Sequence, residues 1–310
     1  MASYLITGGC GFIGSHLADM LVACGHRVTI IDDLSTGRIE NAPEQATLLV
    51  GNVVDQDLVG HAMQDVDGCF HLAAIASTQR ANEAWLDTHR SNLSGTVCVL
   101  DAARARKLPV VFASSAAVYG EQAVVPIRED ALVYPVSAYG ADKLGSELHA
   151  RVAGLVHSIP TVGLRFFNVY GPRQDPRSPY SGVISIFVDR LSRGVAIDVH
   201  GDGRQVRDFV FVGDVVQFLV AAMEHADTAP TVYNVCTGRA TSIRTLAHTL
   251  GQLLGKDVRL QFSAKRAGDI RQSLGCPEQA ATQLGLRARV GLTEGLRRTI
   301  GHAAAPREAA

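Results

Sequence analysis

The stretch YLITGGCGFIGSHLADML, residues 4–21, decides the fold. A short apolar run leads into Gly8, Gly11 and Gly14, and the apolar spacing of an amphipathic helix follows. Glycine permits a tight turn and lets backbone N–H groups approach a phosphate, while the helix dipole adds partial positive charge. This pattern predicts a strand–turn–helix unit that binds the pyrophosphate of a dinucleotide, although a purely structural glycine turn has the same spacing.

The rest of the first half repeats the alternation of strand and helix. Short apolar runs predict strands at 27–32, 47–50, 68–72, 110–114 and 161–167, and helical patterns predict helices at 13–24, 56–63, 92–106 and 139–156. Such alternation predicts an α/β fold with a doubly wound parallel sheet. The second half is less regular: 168–182 has the composition of a loop, 183–193 predicts a helix, 201–216 predicts a turn and a helix, and 232–238 predicts a returning strand.

An acidic residue ends the second predicted strand. Asp32 lies 18 residues beyond Gly14, where a carboxylate accepts hydrogen bonds from both ribose hydroxyls of an adenosine. The same charge repels a 2′-phosphate, so the pattern favours NAD over NADP. Asn52, in GNVVD after the third strand, is a candidate for the adenine edge and equally for a turn asparagine.

Composition excludes several other classes of protein. The 310 residues are 47% apolar and 19% charged with a formal net charge of −1, which is typical of a globular protein and indicates neither nucleic acid nor membrane as a partner. The six cysteines form no CxxC pair and no Cys/His zinc spacing, so no metal is expected. Free thiols and the lack of a signal-peptide pattern predict a cytoplasmic protein.

The stretch SAYGADKLGSE, residues 137–147, holds the candidate catalytic pair. Tyr139 and Lys143 lie one turn apart at the start of a predicted helix. A nearby ammonium favours tyrosinate and is expected to lower the pKa of the phenol from about 10. The strand that ends in Ser114 and Ser115 places a hydroxyl at the same edge of the sheet, where it is able to relay a substrate proton. Without that context, Tyr139 and Lys143 would be a solvated helix face.

Several motifs, in order, resemble the extended short-chain dehydrogenase/reductases, and within them the UDP-galactose 4-epimerase type. They are GxxGxxG, the acidic strand end, HLAA (71–74), SSAAVYG (114–120), YxxxK, RFFNVYGPRQDP, RQVRDFVFVGDV and RAGDIRQS, and they cover essentially residues 1–300. The resemblance implies a Rossmann domain at 1–171, completed by about 208–238. It also implies a smaller α/β nucleotide-sugar-binding domain at 172–207 and 239–310.

The resemblance also implies the residues of the site. Tyr139 is the base, Lys143 tunes it and binds the nicotinamide ribose, and Ser115, rather than Ser114, bridges the proton. The remaining cofactor ligands are Gly8, Gly11, Phe12, Ile13, Gly14, Asp32, Asp33, Asn52, Val53, Leu72, Ala73, Ala74 and Asn92. The substrate ligands are Ser77, Ser115, Asn168, Gln174, Arg207, Arg266, Asp269 and Ser273.

The residues before Val118 indicate which reaction of the family to expect. Related dehydratases carry an acidic pair where this chain has Ala116 and Ala117, so elimination lacks its acid and oxidation and re-reduction at C4 remain. Ala117 also departs from the Thr or Ser of many galactose epimerases.

Ser273 is the most informative residue for the sugar. Epimerases restricted to unmodified sugars carry a bulky Tyr there, and serine leaves room for an N-acetyl group; a serine that only caps a turn is the less favoured alternative. Gln174 also matches epimerases that prefer acetylated sugars. UDP-GlcNAc and UDP-glucose are therefore the expected substrates.

Other interpretations stay open. Epimerases of UDP-glucuronate tend to carry Thr and Arg where this chain has Asn168 and Asp175, and the Asp175 carboxylate would repel a uronate. A reductase or epimerase of another nucleotide-activated sugar, or a non-catalytic NAD-binding regulator, would fit the same fold. Arg266 and Asp269 would alternatively form a surface ion pair. The resemblance further implies a homodimer built on the helices 92–106 and 139–156.

Overall fold

A computed structural model describes residues 1–175, 182–265 and 268–304. The strands are β1 Ser3–Thr7, β2 Arg27–Asp32, β3 Thr47–Val50, β4 Gly68–His71, β5 Val110–Ser115, β6 Thr161–Phe166, β7 Asn168–Tyr170, β8 Ile197–His200, β9 Val206–Phe211, β10 Thr231–Val235, β11 Ala240–Ser242, β12 Leu260–Ser263 and β13 Gln272–Ser273. The α-helices are α1 Phe12–Ala23, α2 Gln56–Ala62, α3 Thr78–Glu83, α4 Trp85–His89, α5 Gly95–Arg104, α6 Ala138–His157, α7 Val183–Ser192, α8 Val212–Glu224, α9 Ile243–Leu254, α10 Glu278–Gln283 and α11 Leu292–Ala304. Short 3₁₀ helices lie at Ile39–Asn41 and Ala116–Val118, and a π-helical turn lies at Arg90–Ser94.

The larger sheet is parallel and doubly wound. Its seven strands run in the order β10-β6-β5-β4-β1-β2-β3, so the order reverses between β1 and β4. Alternate residues of β1 point to opposite faces: Ile6 packs in a core with α1 and α8, and Leu5 packs in a core with α2, α5 and α6. The predicted α/β fold is confirmed, and its reversal point places a crevice at the carboxyl ends of β1 and β4.

A smaller sheet lies beside the larger one. β9 pairs with β11, β13 and β7, and a separate pair joins β8 to β12. Apolar side chains of α7, α9 and α11 pack in a third core with β8 and β9. β10 returns to the larger sheet, as its sequence predicts. The division into two domains stays a prediction.

One sequence expectation about the elements was wrong. The segment 201–216 contains β9 as well as a turn and a helix, because its apolar residues pair with strands that lie far away in the chain. The predicted helix 92–106 is present, but its first residues belong to the π-helical turn Arg90–Ser94, which continues directly into α5. Asn92 lies in that turn, and its side chain forms hydrogen bonds with the backbone of Ile75. These bonds hold the loop after β4. Among the described residues, no helix is long and apolar enough to cross a bilayer.

Candidate active site

The glycine loop packs directly against the segment that follows β4. Gly8 has φ +73°, and a Cβ atom there would lie 2.7 Å from the backbone N of Ala73. A Cβ atom on Gly14 would lie within van der Waals overlap of the Gly8 carbonyl oxygen. No side chain in the described part of the chain caps the first turn of α1, so its N–H groups, those of Phe12 and Ile13 among them, suit an anionic ligand. The loop therefore fits the pyrophosphate of NAD.

Asp32 lies buried at the end of β2, next to this loop. Its carboxylate accepts hydrogen bonds from the backbone N–H groups of Cys10 and Leu34, both at 2.9 Å. Burial raises the pKa of this carboxyl, and the two backbone bonds oppose that rise. Sequence reasoning missed Gly37: a Cβ atom there would lie 2.6 Å from Asp32 Oδ1, so only glycine lets this turn pack directly against the carboxylate. The glycine in DDLSTG was the available signal.

The neighbouring cofactor candidates are engaged with one another. The Asn52 amide donates to the Asp33 carboxylate at 3.1 Å, and Asn52 Oδ1 accepts from the backbone N of Val54. Both polar ends of Asn52 thus have protein partners, which favours the turn asparagine over the adenine ligand. Val53 is buried against Gly95. Leu72, Ala73 and Ala74 form the crevice wall after β4, where Thr7 accepts from the backbone N–H groups of Leu72 and Ala73.

The structure brings the three candidate catalytic residues together. β5 ends at Ser115, and α6 starts beside it, capped by Ser137, whose hydroxyl accepts from Gly140 N at 3.1 Å. The Ser115 hydroxyl lies close enough to the Tyr139 phenol to act on its pKa. Lys143 Nζ lies 5.8 Å from the centroid of the Tyr139 ring and donates to the carbonyl of Ala113 at 2.8 Å. The phenol, the hydroxyl and the ammonium therefore meet at the carboxyl edge of the sheet.

Burial dominates the ionisation of this group of side chains. It raises the pKa of the half-buried Tyr139, and the nearby Ser115 hydroxyl opposes that rise. The expected lowering of the phenol pKa by Lys143 is therefore wrong for the chain without ligand. Burial also lowers the pKa of Lys143 to about 8, against the attraction of Asp142. The cause is the same for both residues: a charged form is costly where little water reaches it.

Ser114 and Ser115 have different partners, which explains why only the second faces the tyrosine. The Ser114 hydroxyl donates to Glu147, which also accepts two hydrogen bonds from Arg165 at 2.9 and 2.7 Å. The Arg165–Glu147 pair is almost fully buried between β6 and α6. Sequence reasoning missed it, although Glu147 follows Lys143 by one helical turn. The pair holds the end of β5 against the helix that carries Tyr139.

Three of the predicted substrate ligands lie together at the smaller sheet: Arg207 and Ser273 on its strands, and Asp269 in the loop before β13. Arg207 on β9 donates to the Asp269 carboxylate at 2.6 Å, and Ser273 on β13 pairs in register with Arg207. Burial lowers the pKa of Arg207, and Asp269 opposes this. Ser273 thus lies in a strand and does not cap a turn. Asp269 has Arg207 as its partner, and Arg266 lies outside the described residues.

The other predicted substrate ligands lie on separate elements. Asn168 begins β7, and Ser77 caps α3 by accepting from Arg80 N at 3.1 Å. Gln174 Oε1 is buried and has no hydrogen-bond partner in the described parts of the chain, so it is free to accept from a ligand. Asp175 pairs with Arg38 at 2.8 Å. This pairing offsets the negative charge that was expected to repel a uronate, so Asp175 no longer argues strongly against UDP-glucuronate.

Comparison with known proteins identifies the family. Residues 4–236 match the family described as NAD dependent epimerase/dehydratase. The UDP-glucose 4-epimerase of Mycolicibacterium smegmatis is 36% identical over 305 residues, which is 96% of each chain. The chain belongs to the NAD dependent epimerase/dehydratase family, and NAD is its cofactor.

Solved structures agree with this assignment. The UDP-glucose 4-epimerase of Thermotoga maritima, solved with UDP-glucose, is 34% identical with a TM-score of 0.94. The UDP-N-acetylglucosamine 4-epimerase of Methanobrevibacter ruminantium M1, solved with UDP-N-acetylmuramic acid, is 32% identical with a TM-score of 0.93. Each match covers 97% of this chain and 98% of the other.

Proposed function

We propose that this protein is a 4-epimerase of UDP-hexoses, with UDP-GlcNAc and UDP-glucose as substrates. The observation that carries the proposal is that Ser115, Tyr139 and Lys143 meet at the sheet edge beside the glycine loop, with Lys143 Nζ 5.8 Å from the centroid of the Tyr139 ring. The names of the relatives support a UDP-sugar as substrate class. Ser115, Tyr139 and Lys143 are the proposed catalytic residues.

The proposed chemistry is an oxidation at C4 followed by a reduction on the other face of the sugar. NAD, when bound, accepts the C4 hydrogen with its electron pair and later returns it, and its oxidised form adds positive charge that favours tyrosinate. Ser115 bridges the C4 hydroxyl and Tyr139, which removes the hydroxyl proton as the C4 carbonyl forms. After the keto sugar rotates, Tyr139 returns the proton to the new hydroxyl, so protons and electrons balance.

Elimination and decarboxylation are not proposed, because the required acid is missing. Ala116 and Ala117 occupy the 3₁₀ turn after Ser115, where the dehydratases that the sequence resembles carry carboxylates. Neither methyl side chain is able to protonate a departing hydroxyl. The proposed site therefore moves only the C4 hydrogen and the C4 hydroxyl proton.

The proposed diphosphate site uses Arg207. Its guanidinium fork suits phosphate oxygens, and in the described structure it bonds Asp269 and the backbone carbonyls of Val206 and Ile270. A diphosphate would share this guanidinium with Asp269. We propose that Asp269 then also accepts a hydroxyl of the uridine ribose.

An assay with the purified holoenzyme tests the proposed function. UDP-GlcNAc, UDP-glucose and UDP-glucuronate are each incubated without added cofactor, and the C4 epimers are separated by chromatography. We expect UDP-GlcNAc and UDP-glucose each to be converted to its own C4 epimer without added cofactor, because a resident cofactor is regenerated in each turnover. Product that forms only as added NADH is consumed would instead identify a reductase, and turnover of UDP-glucuronate alone would change the substrate.

Ser273→Tyr tests the proposed tolerance of N-acetyl groups. Ser273 lies beside Arg207 in the smaller sheet, and the added ring would fill space on that side of the site. We expect kcat/KM for UDP-GlcNAc to fall about 100-fold while that for UDP-glucose changes less than about threefold. Ser273→Ala is the control, and it should leave the ratio of the two sugars unchanged. An unchanged ratio in Ser273→Tyr would place the selectivity elsewhere.

We also propose a homodimer that covers an apolar stripe on α6. Leu148, Val152, Leu155 and Val156 share one helical face and are each at least 50% exposed. The exposed Val97 on α5 adds to this surface. Sedimentation is expected to show twice the mass of one chain, and Val152→Glu is expected to give monomers. Leu132→Glu, at an exposed apolar residue outside both helices, should stay dimeric; dissociation of both variants alike would contradict the proposal.

A further inference from the structure

Residues 172–175 form a short segment, here named the strap, that is attached to α1. The carbonyl of Pro172 accepts a hydrogen bond from His16 Nε2 at 3.1 Å. Arg173 forms an ion pair with Asp19 at 2.8 Å, one turn further along the same helix. Both contacts lie within the first two turns of the helix whose N-terminus ends the glycine loop. The strap therefore packs beside the proposed pyrophosphate site.

The end of the strap reaches the turn that follows β2. Asp175 accepts from Arg38 Nη2 at 2.8 Å, and the backbone N of Arg38 donates to the carbonyl of Cys10 in the glycine loop. Asn41 donates to the same carbonyl at 3.1 Å. Arg38 thus joins three segments: the glycine loop, the turn after Asp32, which is the predicted ligand of the adenosine ribose, and the strap.

The backbone of the strap indicates that these contacts determine its shape. Arg173 has φ +66°, a left-handed conformation that is unfavourable for a residue with a side chain. A conformation of this kind persists only where the surrounding structure specifies it. The bonds of Pro172, Arg173 and Asp175 to other segments supply that specification.

We propose that the Arg38–Asp175 ion pair holds the strap closed over the edge of the dinucleotide site and slows the release of NAD. The pair joins the strap, which follows β7 and is attached to α1, to the turn that follows β2. An epimerase needs the same NAD molecule for both halves of its reaction, so slow release serves the proposed function. The inference itself concerns only NAD and holds for any sugar substrate.

Charge reversal and a charge swap test the ion pair. Arg38→Asp, Asp175→Arg and the double variant are loaded with the fluorescent analogue etheno-NAD, and its release is followed in excess NAD. Each single reversal turns attraction into repulsion, so we expect the dissociation rate to rise about tenfold at low salt. The double variant restores opposite charges and should return to within about threefold of the parent rate. Activity is not needed for this readout.

Two further measurements separate the ion pair from general destabilisation. Raising the salt concentration should speed release from the parent protein and from the double variant, because both side chains of the pair are more than one-third exposed and therefore screened. Glu278→Arg, which reverses one partner of the exposed Glu278–Arg287 pair elsewhere, is the control and should leave release unchanged. Two results would overturn the proposal. One is a release rate within twofold of the parent in the single reversals; the other is a double variant that releases etheno-NAD as fast as either single reversal.

Discussion

Tyr139→Phe is expected to lower kcat by about 1,000-fold, which is within the range for loss of a positioned acid–base group. The substitution removes only the phenol oxygen, so the ring stays beside Lys143. The glycine loop and Asp32 are untouched, and NAD should remain bound at the parent stoichiometry. Steady-state kinetics together with the NAD content of the purified variant give the measurement.

Tyr134→Phe is the matched control for this prediction. Tyr134 is 73% exposed on the surface and precedes the helix that carries Tyr139. Its loss of a hydroxyl should change kcat less than twofold. A Tyr139→Phe enzyme with near-normal kcat would show that another group removes the proton. A Tyr139→Phe enzyme purified without NAD would show that the main role of the phenol is to bind the cofactor.

Lys143→Met is expected to abolish turnover and yet to stabilise the NAD-free protein at pH 7. Lys143 is only 3% exposed, and burial lowers the pKa of its ammonium from 10.5 to about 8. Below pH 8 both the folded and the unfolded chain carry the proton, so the folded protein bears the full cost of burying the charge. This shift in the Lys143 pKa corresponds to a loss of about 3 kcal/mol in the free energy of unfolding of the parent. The variant leaves the Ala113 carbonyl without its hydrogen bond, so we expect it to be more stable than the parent by about 2 kcal/mol.

The pH dependence of the free energy of unfolding tests the cause assigned to this stabilisation. Between pH 8 and pH 10.5 the unfolded state binds more protons at Lys143 than the folded state, so this residue makes the parent more stable as pH rises. The advantage of Lys143→Met should therefore shrink from pH 7 to pH 10. Urea unfolding at both pH values measures it, with Lys256→Met as a control at an exposed lysine. A variant less stable than the parent at pH 7 would contradict the assigned cost of burial.

Local sequence patterns predicted the larger sheet well. The observed bounds of β2 and β3 equal the predicted ones, and α1 and α6 begin one residue early. Glycine, apolar period and capping residues act over a few neighbouring positions, so a single sequence contains them. The glycine loop, Asp32 and the pair Tyr139 and Lys143 depend on such local patterns, and each lies where the sequence places it.

Partners that lie far apart in the chain were not predictable in this way. The sequence did not indicate that β9 pairs with β7, β11 and β13, that Glu147 binds Ser114 and Arg165, or that Asp175 binds Arg38. The direction of the Tyr139 pKa was also misjudged, because the charge of Lys143 is visible in the sequence and the burial of the phenol is not.

The amino-acid sequence by itself therefore determined the doubly wound fold, the glycine loop and the types of residue available for catalysis, since these follow from patterns within one strand, turn or helix. Only the tertiary structure decided which ions pair and how far each charge is removed from water. Those properties depend on distances between segments that are separated by tens to more than a hundred residues, and they arise only when the chain is packed.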